Sequence, residues 1–191
     1  TEAISEVILA LNATVDGQLR SQEGEPGQFD AQGVKSDLAS LLDSLRPEHE
    51  QFATLNVPYC FFDSIRRHYI VADAPGHEEF TRTMAIGAST ADLAVILVDA
   101  RKGLHVQTRH HSRIVAMMGI RHVVLAVNKM DLVDFDEAIF NAIVADYRAF
   151  AASHKFASIL AIPLSGLEGD NVLQTSGRTP WYYGPALMAY L

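Results

Sequence analysis

A polar tetrapeptide after an apolar run carries the clearest chemistry in the chain. It is Asn128-Lys129-Met130-Asp131, and it follows residues 121–127. The Asp131 carboxylate can accept the N1 and N2 protons of guanine, a paired contact that adenine cannot make. Such a site rejects analogues lacking these donors, because its buried polar groups would stay unpaired. Asn128 can reach the other edge of the base or tie neighbouring loops together, and the Lys129 stem can lie along the base plane.

A second polar stretch, Asp73-Ala74-Pro75-Gly76-His77, ends another predicted strand. A carboxylate at a strand end can hold Mg²⁺ through water. Gly76 lets a backbone N–H approach a terminal phosphate because it has no Cβ. His77 can orient a water for in-line attack on a phosphoryl group. Taken alone, the stretch is better explained as a strand-to-loop turn followed by a surface histidine.

Two weaker signals complete a series of four loops. Thr54 precedes a predicted hairpin, and its hydroxyl can complete Mg²⁺ coordination when a third phosphate is present. Ser165-Gly166-Leu167 follows a predicted strand and can present backbone N–H groups to the guanine oxygen. Alone, Thr54 is simply a β-branched residue that opens a strand. In this order along the chain, the four loops resemble the switch and base-recognition motifs of a translation-factor-type GTPase.

The elements around these loops predict the fold. Strands 54–62 and 68–73 read as a hairpin, and Pro58 indicates that the first is an edge strand. Further strands and helices then alternate along the sequence, with strands at 92–99, 123–127 and 158–163 and helices at 78–90, 105–118, 134–153 and 183–191. Continuous Val/Ile/Leu strands between helices are typical of a sheet covered on both faces. We expect an α/β, P-loop NTPase-like three-layer fold, its sheet mostly parallel with one antiparallel edge strand.

Composition limits the partners and the compartment. The net charge is −8 and the isoelectric point is near 5.4, which disfavours a nucleic-acid or membrane-surface partner. The single cysteine, Cys60, excludes an internal disulfide and fits a reducing cytosol. No apolar run reaches the roughly 18 residues of a membrane span, and the first residues lack a signal-peptide pattern. We therefore expect a cytoplasmic protein with no nucleic-acid or membrane partner.

The resemblance can be narrowed to one enzyme family. Residues 73–82 (DAPGHEEFTR) resemble the D-T-P-G-H-E-x-[YF]-T-R run of the large, GTP-hydrolysing subunit of sulfate adenylyltransferase, including its nodulation-type homologues. The similarity continues at residues 84–90, 99–103, 107–109, 128–134, 169–172 and 181–187. We therefore divide the chain into an atypical N-terminal segment, residues 1–35, and a translation-factor-type GTPase domain, residues 36–191.

This resemblance implies a function and a set of ligands. In the family, GTP hydrolysis is coupled to the formation of adenylyl sulfate from ATP and sulfate by a small, catalytic subunit, which is the implied partner. The implied ligands are GTP or GDP and Mg²⁺, with Thr54 and Asp73 on the metal and His77 as the catalytic residue. The loops 73–77, 128–131 and 165–167 would contact the nucleotide. A nucleotide-independent domain that docks on the small subunit and an elongation-factor-like GTPase remain alternatives.

One expected motif is missing. The family has a Walker A loop, G-x-x-x-x-G-K-[ST], whose N–H groups and lysine hold the phosphates, and the sequence contains no such run. In one interpretation, residues 6–11 are the first strand and 12–19 are a degenerate loop that keeps only Gly17. In the other, which we favour, the loop lies upstream of Thr1 and residues 1–11 resemble the segment after the family's first helix. Both interpretations predict impaired nucleotide binding by this chain.

Overall fold

One mixed β-sheet organises the residues that the structure describes, 7–12, 59–63, 67–74 and 81–191 of this computed structural model. The strands are β1 (Val7–Asn12), β2 (Tyr59–Asp63), β3 (His68–Ala74), β4 (Leu93–Asp99), β5 (His122–Asn128) and β6 (Ser158–Pro163). The helices are α1 (Thr81–Ala88), α2 (Val106–Met117), α3 (Glu137–Ala151) and α4 (Leu187–Tyr190), with a 3₁₀ turn at Met130–Val133. The strand order across the sheet is β2-β3-β1-β4-β5-β6.

The predicted alternation of strands and helices is confirmed, although two helices are shorter than expected. Helix α3 starts at Glu137 because Asp136 caps it, its carboxylate accepting hydrogen bonds from two backbone N–H groups at 2.6 and 3.1 Å. Asp134 and Phe135 precede this cap with φ values of 52° and 53°, outside the helical range. The last helix contains only Leu187–Tyr190, because Pro185 cannot supply a backbone N–H to a helix running through it.

The predicted hairpin is confirmed, and β2 is the antiparallel edge strand. Its register pairs Tyr59 with Ala72 and Asp63 with His68. Residues 54–58 of the predicted strand, including Pro58, lie outside the described residues, as does the predicted helix start at 78–80.

Strand β1 runs antiparallel to both of its neighbours. Val7 is opposite Ala74 of β3 and Ile96 of β4, and Asn12 is opposite Tyr69 at the start of β3. From the sequence, residues 6–11 could form either a short strand or a helical turn. The structure shows a strand and adds a second antiparallel strand inside the sheet, while β3, β4, β5 and β6 share one direction.

Strands β4, β5 and β6 are covered on both faces, which confirms the α/β class and explains why these strands are continuously apolar. Alternate residues of a strand point to opposite faces. One set, including Ile96 and Leu125, packs with the helix residues Met84, Val115 and Tyr147. The other set is Val95, Val124 and Ile162, and residues of the C-terminal segment such as Leu187 and Tyr190 pack against it.

A buried polar contact joins helices α2 and α3. The Ser112 hydroxyl donates to the Thr108 carbonyl at 2.7 Å and lies 3.0 Å from the Tyr147 hydroxyl. Ser112 and Tyr147 are both fully buried, so this contact satisfies polar groups that have no access to water. Among the described helices, none is long and apolar enough to cross a membrane.

Candidate functional site

Loops that follow three parallel strands meet at one edge of the sheet. Asp99 at the end of β4 is paired in register with Asn128 at the end of β5, and Val127 is paired with Pro163 of β6. Carboxyl ends of parallel strands share an edge, and ligands of open α/β sheets bind there. The structure therefore brings together the predicted loops 128–131 and 165–167.

The side chain of Asn128 joins the two loops. Its Oδ1 accepts hydrogen bonds from the backbone N–H of Gly166 at 2.9 Å and of Lys129 at 2.7 Å. Lys129 has a φ of 63°, an uncommon left-handed conformation that this short local contact helps to hold. The Met130 N–H also donates to the Leu164 carbonyl at 3.0 Å. Of the two roles that the sequence left open for Asn128, tying the loops together is the one observed.

Asp131 directly follows a fully buried residue, Met130. Met130, the first residue of the 3₁₀ turn, is fully buried, whereas Asp131, the second, is half-exposed. Among the described residues, no hydrogen bond or ion pair engages the Asp131 carboxylate, so both of its oxygens can accept from a ligand. In the third loop, Ser165 is buried while Gly166 and Leu167 are exposed.

Sequence reasoning did not select Asp99 as a site residue, although it forms ion pairs with two cations at this edge. It accepts from the Arg101 guanidinium at 3.0 and 2.6 Å, and Lys129 Nζ lies 3.0 Å from its Oδ2. The hydrogen bonds from Arg101, reinforced by Lys129, hold the pKa of Asp99 well below its usual range. Its place at a strand's carboxyl end was the available signal, but the pairing with Lys129 depends on the register between β4 and β5.

A cavity of about 320 Å³ opens beside these residues. Asp99, Asn128 and Lys129 line one side of it, and Val106 and Thr108 of α2 line another. The cavity thus adjoins the charged pair and the bridging asparagine.

A second buried asparagine, which the sequence placed only within a similarity run, supports the 165–167 loop. Asn171 donates to the Pro163 carbonyl at 2.8 Å and to the Thr179 hydroxyl at 2.9 Å, and it accepts from the Ser176 N–H at 2.7 Å. It is fully buried with a φ of 56°. These bonds fix the chain that follows Ser165, so the loop is held from both sides.

The phosphate and metal side of the prediction is described only at Asp73 and Ala74, which end β3. Asp73 Oδ1 is buried with no hydrogen-bond partner among the described residues, and such an oxygen fits a hard cation or the water bound to one. The described residues contain no cluster of three or more His, Cys, Asp or Glu that could hold a metal. The remaining predicted residues of this side, Thr54, Pro75, Gly76 and His77, lie outside the described residues.

The direction of β1 disfavours a phosphate loop at residues 12–19. Asn12 pairs with Tyr69, so it lies at the opposite edge of the sheet from Asp73. Four residue steps of extended strand separate Tyr69 from Asp73, a distance of about 13 Å. A Walker A loop must leave its strand at the carboxyl edge, whereas the chain leaves β1 at the other edge. Residues 13–19 themselves lie outside the described residues, and a loop upstream of Thr1 stays a prediction.

The sequence matches one family model and is similar to several curated proteins. The family model of the elongation factor Tu GTP binding domain matches residues 12–188. The bifunctional enzyme NodQ of Rhizobium meliloti (strain 1021) is 57% identical over 168 residues, which are 88% of this chain and 26% of that protein. Sulfate adenylyltransferase subunit 1 of Cellvibrio japonicus (strain Ueda107) is 48% identical over 176 residues, 92% of this chain and 37% of that protein.

The structure is similar to the crystal structure of sup35 complexed with GMPPNP. The TM-score is 0.59 at 26% identity, covering 82% of this chain and 36% of that one. These similarities confirm the resemblance drawn from the sequence motifs. The chain spans between 26% and 37% of the length of the curated relatives named above.

Proposed function

Because the chain belongs to the elongation factor Tu GTP-binding domain family, we propose that it is the guanine-recognising GTPase domain of a sulfate adenylyltransferase subunit 1. The observation that carries this proposal is the 2.9 Å hydrogen bond from the Gly166 N–H to Asn128 Oδ1. It holds the two predicted base-reading loops side by side at the carboxyl edge of the sheet. Fixed polar groups of this kind provide specificity at little cost of ordering on binding.

Asp131 is the residue that selects the base. Its carboxylate would accept from N1 and N2 of guanine, and the buried Met130 beside it holds the turn in place. Adenine presents an acceptor where guanine has the N1 proton, so it would leave an Asp131 oxygen without a donor. Losing such a pair in a site built for it costs several kcal/mol, roughly a 10⁴-fold preference at best.

The affinity of this site for the phosphates is expected to be lower than its affinity for the base. Lys129 Nζ is engaged by Asp99 at 3.0 Å, and the sequence has no Walker A lysine to contribute a second charge. If Mg²⁺ binds, Asp73 and Thr54 would hold it, and it would neutralise charge on the phosphates. His77 would orient the attacking water. We therefore propose that this chain binds the base while its affinity for phosphates and its GTP hydrolysis are impaired.

The longer protein would use this domain to drive an unfavourable synthesis. Forming a sulfate–phosphate anhydride from ATP and sulfate is uphill, so coupling it to GTP hydrolysis would make adenylyl sulfate formation favourable. The partner would be the small subunit that carries out the adenylyl transfer. The relative named sulfate adenylyltransferase subunit 1 supports this assignment.

Calorimetric titration of the 191-residue chain separates base binding from phosphate binding. Guanosine, GDP and adenosine are titrated in turn, with Mg²⁺ and with EDTA. We expect guanosine and GDP to bind with affinities within about fivefold, a difference below 1.4 kcal/mol, and adenosine to bind at least tenfold more weakly. GDP affinity in the micromolar range or tighter that requires Mg²⁺ would overturn the impaired phosphate site. Equal binding of adenosine would overturn base recognition.

The missing Walker A sequence favours a second candidate, a domain that docks on the small subunit without any nucleotide. That candidate predicts no heat with any nucleoside and a complex with the small subunit that GDP leaves unchanged. An elongation-factor-like role is disfavoured by the net charge of −8, since the ribosome presents phosphate-rich RNA.

A further inference from the structure

Four exposed residues form a stripe along α2, on the outer side of the helical layer. Val106, His110, Arg113 and Met117 are spaced by four, three and four residues, which places them on one helix face. Val106 and Met117 are 79% and 77% exposed, and the two residues between them are exposed as well. A surface helix normally turns polar residues outwards, so large apolar side chains at both ends of this stripe indicate a contact surface.

Two arginines on this helix are held in position by an aromatic ring. The Arg109 and Arg113 guanidinium carbons lie 5.2 and 5.7 Å from the centroid of Phe150 on α3. The centroid of the His154 ring lies 4.7 Å from that of Phe150 and 5.9 Å from that of Phe156, on which it stacks. A guanidinium over a ring face keeps its N–H groups available at its edge. Contact with the ring therefore favours one position for each guanidinium group.

No carboxylate of the described residues forms an ion pair with these two guanidinium groups. Within residues 81–191, Arg101 and Arg178 pair with aspartate or glutamate, whereas neither Arg109 nor Arg113 takes part in an ion pair. Two neighbouring guanidinium groups that share one aromatic ring and have no ion pair among the described residues are complementary to carboxylates supplied from outside.

We propose that this face of α2 binds an acidic amphipathic helix of a partner protein. Carboxylates of that helix would pair with Arg109 and Arg113, and its apolar side chains would cover Val106 and Met117. Eleven residues of helix span about 16 Å, a length suited to packing one helix along another. Aromatic residues, Met and Arg are also the types enriched at protein interfaces.

Nucleic acid fits this surface less well. Two arginines neutralise few phosphates, and the remaining charge of the chain repels a polyanion. Val106 also lines the cavity beside Asn128 and Lys129, so this end of the stripe adjoins the nucleotide site. Helix α2 leads into β5 at the amino edge of the sheet, so the Met117 end of the stripe lies away from Asn128.

Fluorescence anisotropy with the full 191-residue chain tests this surface. The probe is a fluorescein-labelled 18-residue helical peptide with Leu on one face and Glu beside it. The controls are the same peptide with Gln for Glu and a single-stranded 18-nucleotide DNA. We expect saturable binding of the Glu peptide, about tenfold weaker binding of the Gln peptide, and weakening by salt.

Variants then locate the contact. The double variant R109Q/R113Q should bind the Glu peptide at least tenfold more weakly, while R121Q/R148Q, which removes two exposed arginines elsewhere, should change affinity less than twofold. M117S should weaken binding about threefold with the charge unchanged. Circular dichroism verifies that each variant is folded.

Three outcomes would each overturn the proposal. They are DNA binding as tight as that of the Glu peptide, equal losses of affinity in the two double variants, and no binding of the Glu peptide.

Discussion

The side-chain oxygen of Asn128 accepts a hydrogen bond from the backbone N–H of Gly166 at 2.9 Å, across 38 residues of chain. The same oxygen accepts from the Lys129 N–H, so one amide sets the position of Gly166 and the turn after β5. A Cβ on Gly166 would lie 3.5 Å from the Asn128 amide atoms, an ordinary contact distance. The bridge therefore requires the asparagine side chain but tolerates a small side chain on its partner.

The variant N128A tests this asymmetry. It leaves two backbone N–H groups without their acceptor, so we expect a loss of about 1–2 kcal/mol in unfolding free energy and weaker guanosine binding. The control variant is G166A, which should alter both quantities only slightly. Urea unfolding and calorimetric titration provide the measurements. If G166A proved as damaging as N128A, crowding at this position and not the hydrogen bond would set the loop geometry.

Exchanging Asp131 for asparagine should change which base is preferred. An asparagine offers one acceptor and one donor, which complements the N1 proton and the 2-oxo group of xanthine in place of the 2-amino group of guanine. In D131N we expect guanosine affinity to fall at least tenfold and the preference to move towards xanthosine. Asp134 has a φ of 52°, which asparagine tolerates, so D134N is the matched control. Unchanged guanosine binding in D131N would remove Asp131 from the base site.

The sequence predicted the elements whose environment is local and missed those that depend on register. Strands β4, β5 and β6 were found because burial on both faces makes them continuously apolar. The loops 128–131 and 165–167 follow from their ends. The direction of β1 was not predictable, since a short apolar strand can pair in either direction. The contact between Lys129 and Asp99 was missed because it arises only from the pairing of two strands.

Removing the charge of Asp99 should release Lys129 and lower stability. The Arg101 side chain is 44% exposed, so solvent screens its ion pair with Asp99. We therefore expect D99N to lower the unfolding free energy by about 1 kcal/mol at pH 7. The pKa of Asp99 is held below its usual range by Arg101 and Lys129. Its contribution is therefore complete above about pH 4, the unfolded pKa of an aspartate, and is lost as the pH falls through the folded pKa.

Unfolding of D99N and the original chain in urea should accordingly differ at pH 7 and differ less at pH 3. The exposed Asp134 again supplies the control, because D134N removes a carboxylate that has no such ion pair among the described residues. A constant difference between D99N and the original chain at both pH values would contradict the assigned ion pair.

The buried hydroxyl of Tyr147 should contribute a measurable stability. Burial raises the pKa of Tyr147 to about 12, and among the described residues its hydroxyl has one hydrogen-bond partner, the Ser112 hydroxyl at 3.0 Å. Ser112 keeps its bond to the Thr108 carbonyl in Y147F, so we expect a loss of about 1 kcal/mol. Tyr183 is 93% exposed, and Y183F should change the unfolding free energy by less than half of that. Equal effects of the two variants would exclude the interhelical contact as the cause.

Burial of His111 should make stability depend on pH just below neutrality. The imidazole is 1% exposed on α2, and burial, aided by the charge of the neighbouring His110, lowers its pKa below 6.5. The unfolded chain then takes up the proton first, so stability is complete above about pH 6.5 and is lost as the pH falls through the folded pKa. Urea unfolding between pH 7.5 and pH 5 should show this slope. H111Q should flatten it whatever its own stability, whereas H105Q, at an exposed position, should retain it; the same slope in both variants would assign it to other groups.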